Sequence, residues 1–116
     1  MPLQWEVWQV ALDPVVGHEQ GGTRPGLVVS TDAVNETAQI ITIVPLTSMK
    51  PGRRVYPTEV EIPAGAAGQP RASLAMTHQA RALDIERFRE RYGVLASPDI
   101  RASVTRALRY TLRRAV

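Results

Sequence analysis

The chain has 116 residues, of which 44% are hydrophobic and none is cysteine. This length suits one compact domain spanning residues 1–116, and the lack of cysteine excludes disulfide bonds and thiolate metal sites. The formal net charge is +3, and nine of the basic residues lie after residue 80, where four acidic residues oppose them. Because 13 of the 14 basic residues are arginine, whose planar guanidinium suits phosphate, the charge favours a polyanionic partner. An arginine-rich composition alone would produce the same charge, so this indication is weak.

No segment has the features that direct a chain into or across a membrane. Residues 1–10 lack the basic start and the long apolar stretch of a signal peptide. No apolar run approaches the ~20 residues that a membrane-spanning helix needs. We therefore expect a cytoplasmic protein without membrane contact.

The first two-thirds of the chain has the pattern of short β-strands separated by glycine-rich loops. The predicted strands are residues 5–12, 27–30, 39–46, 58–62 and 73–77, with residues 79–83 running on from the last. Residues 15–26, 48–55 and 63–70 are predicted loops. Pro45 indicates a sheet edge or a bulge near the end of the strongest strand.

The last third of the chain has the pattern of two helices. Asp84 would cap a short first helix that ends at Gly93. Ser97 and Pro98 would begin the second, since serine at the cap and proline at the first position are preferred. Its apolar residues recur every four positions, at Ile100, Val104, Leu108 and Leu112. Strands followed by helices predict a mainly β fold with C-terminal helices, built as a small and strongly bent β-barrel.

Three predicted loop segments contain polar residues that packing does not require. The first, GHEQGGTRP at residues 17–25, places Glu19 and Arg24 five residues apart on a backbone that glycine allows to fold back. The second is PLTS at residues 45–48, and the third is HQAR at residues 78–81. These segments are the candidates for a functional site.

The sequence resembles the MazF/PemK family of toxin endoribonucleases over nearly its whole length. The resemblance is carried by VWQVALDP at 7–14, VGHEQGGTRP at 16–25, LVVS at 27–30, PLTS at 45–48, YPTEV at 56–60 and QAR at 79–81. The pattern G-x-E-Q-x-G-x-R-P is the most specific of these. The resemblance implies a homodimer of an SH3-like, CcdB/PemK-like barrel, with Arg24, Thr47 and Glu19 as catalytic residues.

The chemistry that the resemblance implies is cleavage of single-stranded RNA by its own 2′-hydroxyl group, which needs no bound metal or other cofactor. Glu19 would accept the hydroxyl proton, Arg24 would stabilise charge on the phosphate, and Thr47 would bond a phosphate oxygen or the 2′-hydroxyl. The products would carry a 2′,3′-cyclic phosphate and a 5′-hydroxyl. From the residues alone, an ordinary ion pair between Arg24 and Glu19 within the loop is the preferred interpretation, and Glu19 need not be essential.

We expect the RNA to lie in a groove of polar and basic side chains around these residues. The predicted substrate-binding residues are Gln20, Ser48, Lys50, Arg53, Arg54, Gln79 and Arg81. The same groove would bind an acidic antitoxin, with residues 50–54 as its gate. Each has a structural alternative: Ser48 could be a turn residue, Gln79 and Arg81 could hold a loop, and Arg53 and Arg54 could merely be solvated.

The chain departs from the family pattern at two places. Trp5 and Glu6 stand where the family usually has Gly-Asp, which is expected to change packing or the dimer edge rather than catalysis. His18 stands where serine is common, either as a second acid–base group or as an ordinary loop residue. Alternatives to the enzyme are a toxin of the same fold that acts by protein contact, as gyrase poisons do, and an inactive RNA-binding barrel. The dimer interface is expected to include Leu108 and Leu112.

Overall fold

Seven antiparallel strands and two α-helices form the fold in a computed structural model, which describes residues 1–113. The strands are β1 (Glu6–Ala11), β2 (Thr23–Val28), β3 (Ile40–Ser48), β4 (Glu59–Ile62), β5 (Ser73–Met76), β6 (Arg81–Asp84) and β7 (Phe88–Val94). The helices are α1 (Asp32–Ala38) and α2 (Pro98–Leu112), and single 3-10 turns cover Thr77–Gln79 and Ile85–Arg87. The predicted mainly β fold is confirmed, with one C-terminal helix, α2, in place of the two helices that were predicted. Neither α1 nor α2 is long and apolar enough to cross a membrane.

Strand β3 is the centre of the sheet and changes partner along its length. The strand order is β4-β5-β3-β2-β1-β7, and β6 also pairs with β3. Residues 40–43 of β3 pair with β6, whereas residues 46–48 pair with β5. Pro45 lies between these two sets of pairs, so its missing N–H group falls where β3 changes from one partner to the next. The proline therefore lies in a central strand that is paired on its other side with β2, and not at a sheet edge.

Two apolar clusters cover opposite faces of the sheet, because successive residues of a strand point to opposite sides. Val7, Leu27 and Val44 are neighbours across three strands and belong to the first cluster. Val28 and Ile43, which are the next residues along their strands, pair with each other and belong to the second cluster. Each central strand thus contributes to both clusters.

Helix α2 covers the first cluster with Val104, which is fully buried, and with the half-buried Ile100 and Leu108. Leu112 is 78% exposed although it continues the four-residue spacing. A step of four residues turns an α-helix by about 400°, so the apolar row drifts by roughly 40° at each step. After three steps the row has left the core, and Ala107 is buried in its place.

Three local predictions were wrong. Residues 85–93, predicted as a helix, form one 3-10 turn followed by β7. Asp84 does cap the turn, since its side chain accepts a hydrogen bond from Glu86 N, but β7 then pairs with the free edge of β1. Helix α1 was not predicted, although Thr31 caps it by accepting a hydrogen bond from Val34 N. Strand β2 begins at Thr23, four residues earlier than predicted. Residues 23–25 of this strand pair with β1 but not with β3.

Trp5 and Glu6, which depart from the family pattern, both make well-defined contacts. Trp5 has a φ of 72°, a left-handed conformation that favours glycine, and its side chain packs against the first cluster beneath the guanidinium of Arg101. The Glu6 carboxylate accepts hydrogen bonds from Leu3 N at 2.7 Å, Trp8 Nε1 at 3.1 Å and Arg91 Nε at 2.6 Å. Burial by itself raises the pKa of Glu6, but these bonds and the charge of Arg91 outweigh burial and lower the pKa.

Candidate active site

The β2–β3 ladder brings Arg24 and Thr47 to the same end of the sheet. Gly26 lies opposite Pro45, so Arg24 stands two residues before this pair and Thr47 two residues after it. Because side chains repeat every second residue in a strand, Arg24 and Thr47 both continue the row that carries the second apolar cluster. Arg24 also lies directly opposite Val10 of that cluster. The antiparallel register thus joins two residues that are distant in the sequence.

Arg24 is half-buried, and a neighbouring carbonyl group orients its side chain. Its Nε donates a hydrogen bond to the Gly21 carbonyl oxygen at 3.0 Å. Within residues 1–113 the two terminal nitrogens of Arg24 make no hydrogen bond to the protein. The hydrogen bond of Nε therefore orients the guanidinium, and Nη1 and Nη2 can donate to a ligand such as phosphate.

Glu19 lies on the exposed loop between β1 and β2. One carboxylate oxygen accepts a hydrogen bond from Val16 N at 2.6 Å, which closes a turn within the loop. The base of the loop is closed by a bond from Leu12 N to Gly22 O at 2.9 Å. Among the described residues Glu19 and Arg24 form no ion pair within 4.0 Å, so the loop ion pair considered from the sequence is not formed.

Gln79 and Arg81, which lie about 60 residues later in the chain, hold this loop in place. Gln79 Oε1 accepts a hydrogen bond from Gln20 N at 3.3 Å, and Gln79 Nε2 donates one to His18 O at 3.2 Å. The two bonds therefore grip the backbone immediately before and after Glu19. Arg81 donates to Leu12 O at 3.1 Å, at the start of the loop.

Arg87, which was not among the predicted site residues, also anchors the loop. Its guanidinium donates to Ala11 O at 3.1 Å and to Asp13 O at 2.7 Å. Residues 85–93 were predicted as a helix, and that prediction assigned no role to Arg87. A cluster of arginines after residue 80 was the available signal.

The segment between β3 and β4 contains the predicted gate, residues 50–54. Arg53 forms a two-point ion pair with Glu59, at 3.1 Å from Nη1 to Oε1 and 2.8 Å from Nη2 to Oε2. Tyr56 N also donates to Glu59 Oε1 at 3.1 Å. Burial raises the pKa of Glu59, but the hydrogen bonds from Arg53 and Tyr56 and the charges of Arg53 and His78 lower it overall. Arg53 is thus occupied by a buried carboxylate.

The remaining predicted substrate-binding residues of this segment face solvent. Lys50 and Ser48 are exposed, and Ser48 lies opposite Ser73 at the end of the β3–β5 ladder. Arg54 is exposed, and its guanidinium lies over the Tyr56 ring at 5.1 Å from the centroid. These side chains are accessible to a ligand.

The two histidines differ in their surroundings. His18 is exposed and contacts Gln79 through its backbone carbonyl. His78 Nδ1 lies 3.2 Å from Thr58 Oγ1, so this ring is tied to the start of β4. In the described part of the chain, no group of three or more histidine, aspartate or glutamate residues is arranged to hold a metal ion.

Comparison with known proteins gives relatives over the full length. A family model described as "PemK-like, MazF-like toxin of type II toxin-antitoxin system" matches residues 3–112. The chain is 36% identical over 117 residues to the endoribonuclease MazF9 of Mycobacterium tuberculosis, with 97% of each protein covered. It is similar to the crystal structure of MazF from Deinococcus radiodurans, with a TM-score of 0.80, 32% identity and 97% of each chain covered.

A crystal structure of MazE–MazF from Deinococcus radiodurans is also similar, with a TM-score of 0.70 and 26% identity over 96% of this chain and 95% of that one. The agreement covers the bent sheet, the terminal helix and the loop with the G-x-E-Q-x-G-x-R-P pattern within one continuous match. The family match includes almost the whole chain, so this protein belongs to the PemK-like, MazF-like toxins of type II toxin–antitoxin systems.

Proposed function

We propose that this protein is a sequence-specific, ribosome-independent endoribonuclease that cleaves single-stranded RNA through the RNA's own 2′-hydroxyl group. The 2′-oxygen forms a bond to phosphorus, the bond from phosphorus to the 5′-oxygen breaks, and the 5′-oxygen takes up a proton. The products carry a 2′,3′-cyclic phosphate and a 5′-hydroxyl. The observation that carries the proposal is the placement of Arg24 and Thr47 at one end of the β2–β3 ladder, beside the loop that holds Glu19.

Arg24 stabilises the negative charge that develops on the phosphate. Its Nε is bonded to Gly21 O, so the guanidinium is oriented before the RNA binds. A donor that is already in place costs no reorganisation during the reaction, and a group of this kind contributes roughly 3–4 kcal/mol to transition-state stabilisation. Thr47 supplies a hydroxyl group to the same phosphate or to the 2′-hydroxyl.

Glu19 accepts the proton of the 2′-hydroxyl group. Val16 N donates to one oxygen of the carboxylate, and within residues 1–113 the other oxygen makes no hydrogen bond and can accept the hydroxyl proton. General base catalysis of this kind contributes about 10²–10⁴-fold to the rate. Gln79 keeps the loop in position by its bonds on both sides of Glu19.

Gln20 is proposed to contact the RNA because its side chain has an unsatisfied acceptor. Among the described residues, Gln20 Oε1 is buried and has no hydrogen-bond partner. Buried acceptors in proteins are nearly always bonded, so an N–H or O–H group of a bound nucleotide would remove an unfavourable arrangement. Lys50 and Arg54 supply exposed positive charge for phosphates of the bound strand.

The protein functions as a homodimer and is neutralised by a cognate acidic antitoxin. The antitoxin follows from membership in a toxin–antitoxin family, and a related MazF has been crystallised with MazE. An extended acidic segment is expected to compete with RNA for the basic groove around Arg24, because both ligands are polyanions. The dimer interface is expected to include the barrel and the surface of α2 near Leu108 and Leu112.

Incubation of the purified protein with a long single-stranded RNA tests the proposal. We expect fragments with 2′,3′-cyclic phosphate ends in the presence and in the absence of EDTA. Replacing the 2′-hydroxyl at the scissile nucleotide by hydrogen should prevent cleavage, since the nucleophile is then missing. For the variant Arg24→Ala, Arg89→Ala is the matched control for loss of one positive charge. Arg89 is exposed and contacts only Glu86 O within the described residues. Efficient cleavage of the deoxy-substituted RNA, or intact RNA together with binding of gyrase, would reject the proposal.

A further inference from the structure

The peptide group between Gly21 and Gly22 is hydrogen-bonded at both of its ends. Its carbonyl oxygen accepts the bond from Arg24 Nε at 3.0 Å, and its N–H donates to Asp13 Oδ1 at 2.9 Å. A trans peptide group is planar, so its C=O and N–H bonds point in opposite directions. The bond from Gly22 N to Asp13 therefore also fixes the direction of the carbonyl group that orients the Arg24 guanidinium.

The surrounding contacts hold Asp13 against this peptide group. Arg87 donates a hydrogen bond to the Asp13 carbonyl oxygen at 2.7 Å, which fixes the backbone of Asp13. Within residues 1–113 the Asp13 carboxylate forms no ion pair, so no guanidinium draws it away from Gly22 N. A Cβ atom on Gly21 would lie 2.9 Å from Asp13 Oδ1, so the carboxylate packs closely against the loop.

Gly22 has a backbone conformation that turns both of its polar groups towards the end of β1. Its φ is 70°, in the left-handed region that favours glycine. Its N–H donates to Asp13, and its carbonyl oxygen accepts from Leu12 N at 2.9 Å. The bond from Leu12 closes the loop without any side chain. Asp13 therefore adds a second bond to a loop that the backbone already closes.

We infer, on the basis of the RNA-cleaving function proposed above, that Asp13 is a positioning residue that orients Arg24 through the Gly21–Gly22 peptide group. The carboxylate needs no contact with the RNA for this role. Its bond to the N–H also polarises the peptide group and makes the carbonyl oxygen a better acceptor for Arg24 Nε. A shift of about 1 Å in a group that acts on the reacting atoms can lower the rate about 100-fold, so even a partial loss of orientation is measurable.

Steady-state RNA cleavage by Asp13→Ala and Asp13→Asn tests this role. We expect Asp13→Ala to lower kcat about tenfold and to change KM less than kcat, because Arg24 is less well oriented towards the transition state. Asp13→Asn should retain most of kcat, since the amide oxygen still accepts a hydrogen bond from Gly22 N. Asp32→Ala is the matched control: Asp32 is also exposed, and its Oδ1 accepts a backbone hydrogen bond from Gln4 N at 2.6 Å.

The NMR resonance of the Arg24 Nε–H group gives a second measurement that needs no cleavage. It is identified as the arginine signal that disappears in Arg24→Lys. We expect Asp13→Ala to shift this resonance and to speed hydrogen exchange at the Gly22 amide. Asp13→Asn and Asp32→Ala should leave both close to those of the original protein. If the original protein cleaves no RNA, the proposed function fails, and the resonance still decides whether Asp13 orients Arg24.

Three results would overturn the positioning role. The first is an unshifted Arg24 resonance, or an unchanged kcat, in folded Asp13→Ala. The second is an Asp13→Asn variant as slow as Asp13→Ala, which would show that the negative charge matters and not the hydrogen-bond acceptor. The third is a much lower unfolding midpoint for Asp13→Ala than for Asp32→Ala with kcat per folded molecule unchanged, which would assign Asp13 to stability alone.

Discussion

Replacing Arg53 by alanine should destabilise the protein because it isolates a buried charge. The Glu59 side chain is 1% exposed, and Arg53 binds both of its carboxylate oxygens. After the replacement, the hydrogen bond from Tyr56 N is the one that remains to the carboxylate among the described residues. Removing one partner of a buried ion pair costs about 3–5 kcal/mol. Arg53 is itself 32% exposed, so solvent screens the pair and we expect a smaller loss than this range, about 2–3 kcal/mol.

Thermal and urea unfolding of Arg53→Ala measure this loss. For a domain of this size, 2–3 kcal/mol corresponds to a decrease of the unfolding midpoint by roughly 8–12 °C. Arg54→Ala is the matched control, since Arg54 is exposed and its loss should change the free energy of unfolding by less than about 0.5 kcal/mol. The double variant Arg53→Ala/Glu59→Gln should recover part of the stability, because it no longer buries an unpaired charge.

The pH dependence gives an independent check. The pKa of Glu59 is lowered in the folded protein, so the ion pair stabilises the fold fully above the unfolded pKa of about 4.3. This stabilisation is lost as the pH falls through the folded pKa. The difference in unfolding free energy between the original protein and Arg53→Ala should therefore shrink below about pH 4. An Arg53→Ala variant as stable as Arg54→Ala at neutral pH would refute this reasoning and return Arg53 to the RNA-binding candidates.

Further predictions concern the active site, the loops and the assembly. Arg24→Ala and Thr47→Ala should each remove most RNA cleavage while the fold, checked by near-ultraviolet circular dichroism, is retained. Arg24→Lys should also cleave poorly, because a point charge makes no two-point phosphate contact. Turnover at the original rate by folded Arg24→Ala would contradict the proposed mechanism. Gln79→Ala should lower kcat more than it changes KM, since Glu19 loses its support, and steady-state kinetics in which KM alone rises would instead make Gln79 a substrate-binding group. Gly68→Ala should lower the temperature midpoint of unfolding by several degrees. The φ of Gly68 is 73°, and a Cβ atom there would overlap the Tyr92 carbonyl oxygen and lie 2.9 Å from the Gly93 Cα. Light scattering at micromolar concentration should give the mass of a dimer, and a single monomeric species would contradict the proposed assembly.

Much of the fold follows from local patterns that the sequence displays. The apolar run at residues 40–44 predicts the central strand, and Ser97 with Pro98 predicts the start of α2. These signals depend on residues close together in the chain, where strand period and helix capping act directly. Glu19 and Arg24 could also be identified as candidate site residues from the sequence, because they share one short motif with the glycines of their loop.

Tertiary structure decided whatever depends on residues far apart in the chain. Residues 88–94 became a strand because the free edge of β1 offered backbone partners that local spacing does not reveal. Arg53 pairs with a glutamate because the chain returns along β4 and buries Glu59 beside it. Gln79 lies 59 residues from Gln20 in the sequence, and only the fold makes it a support for Glu19. The side chains of Arg53 and Gln79 could both have been solvated. Each instead bonds a polar group that the fold brings beside it, because a polar group removed from water needs a hydrogen-bond partner.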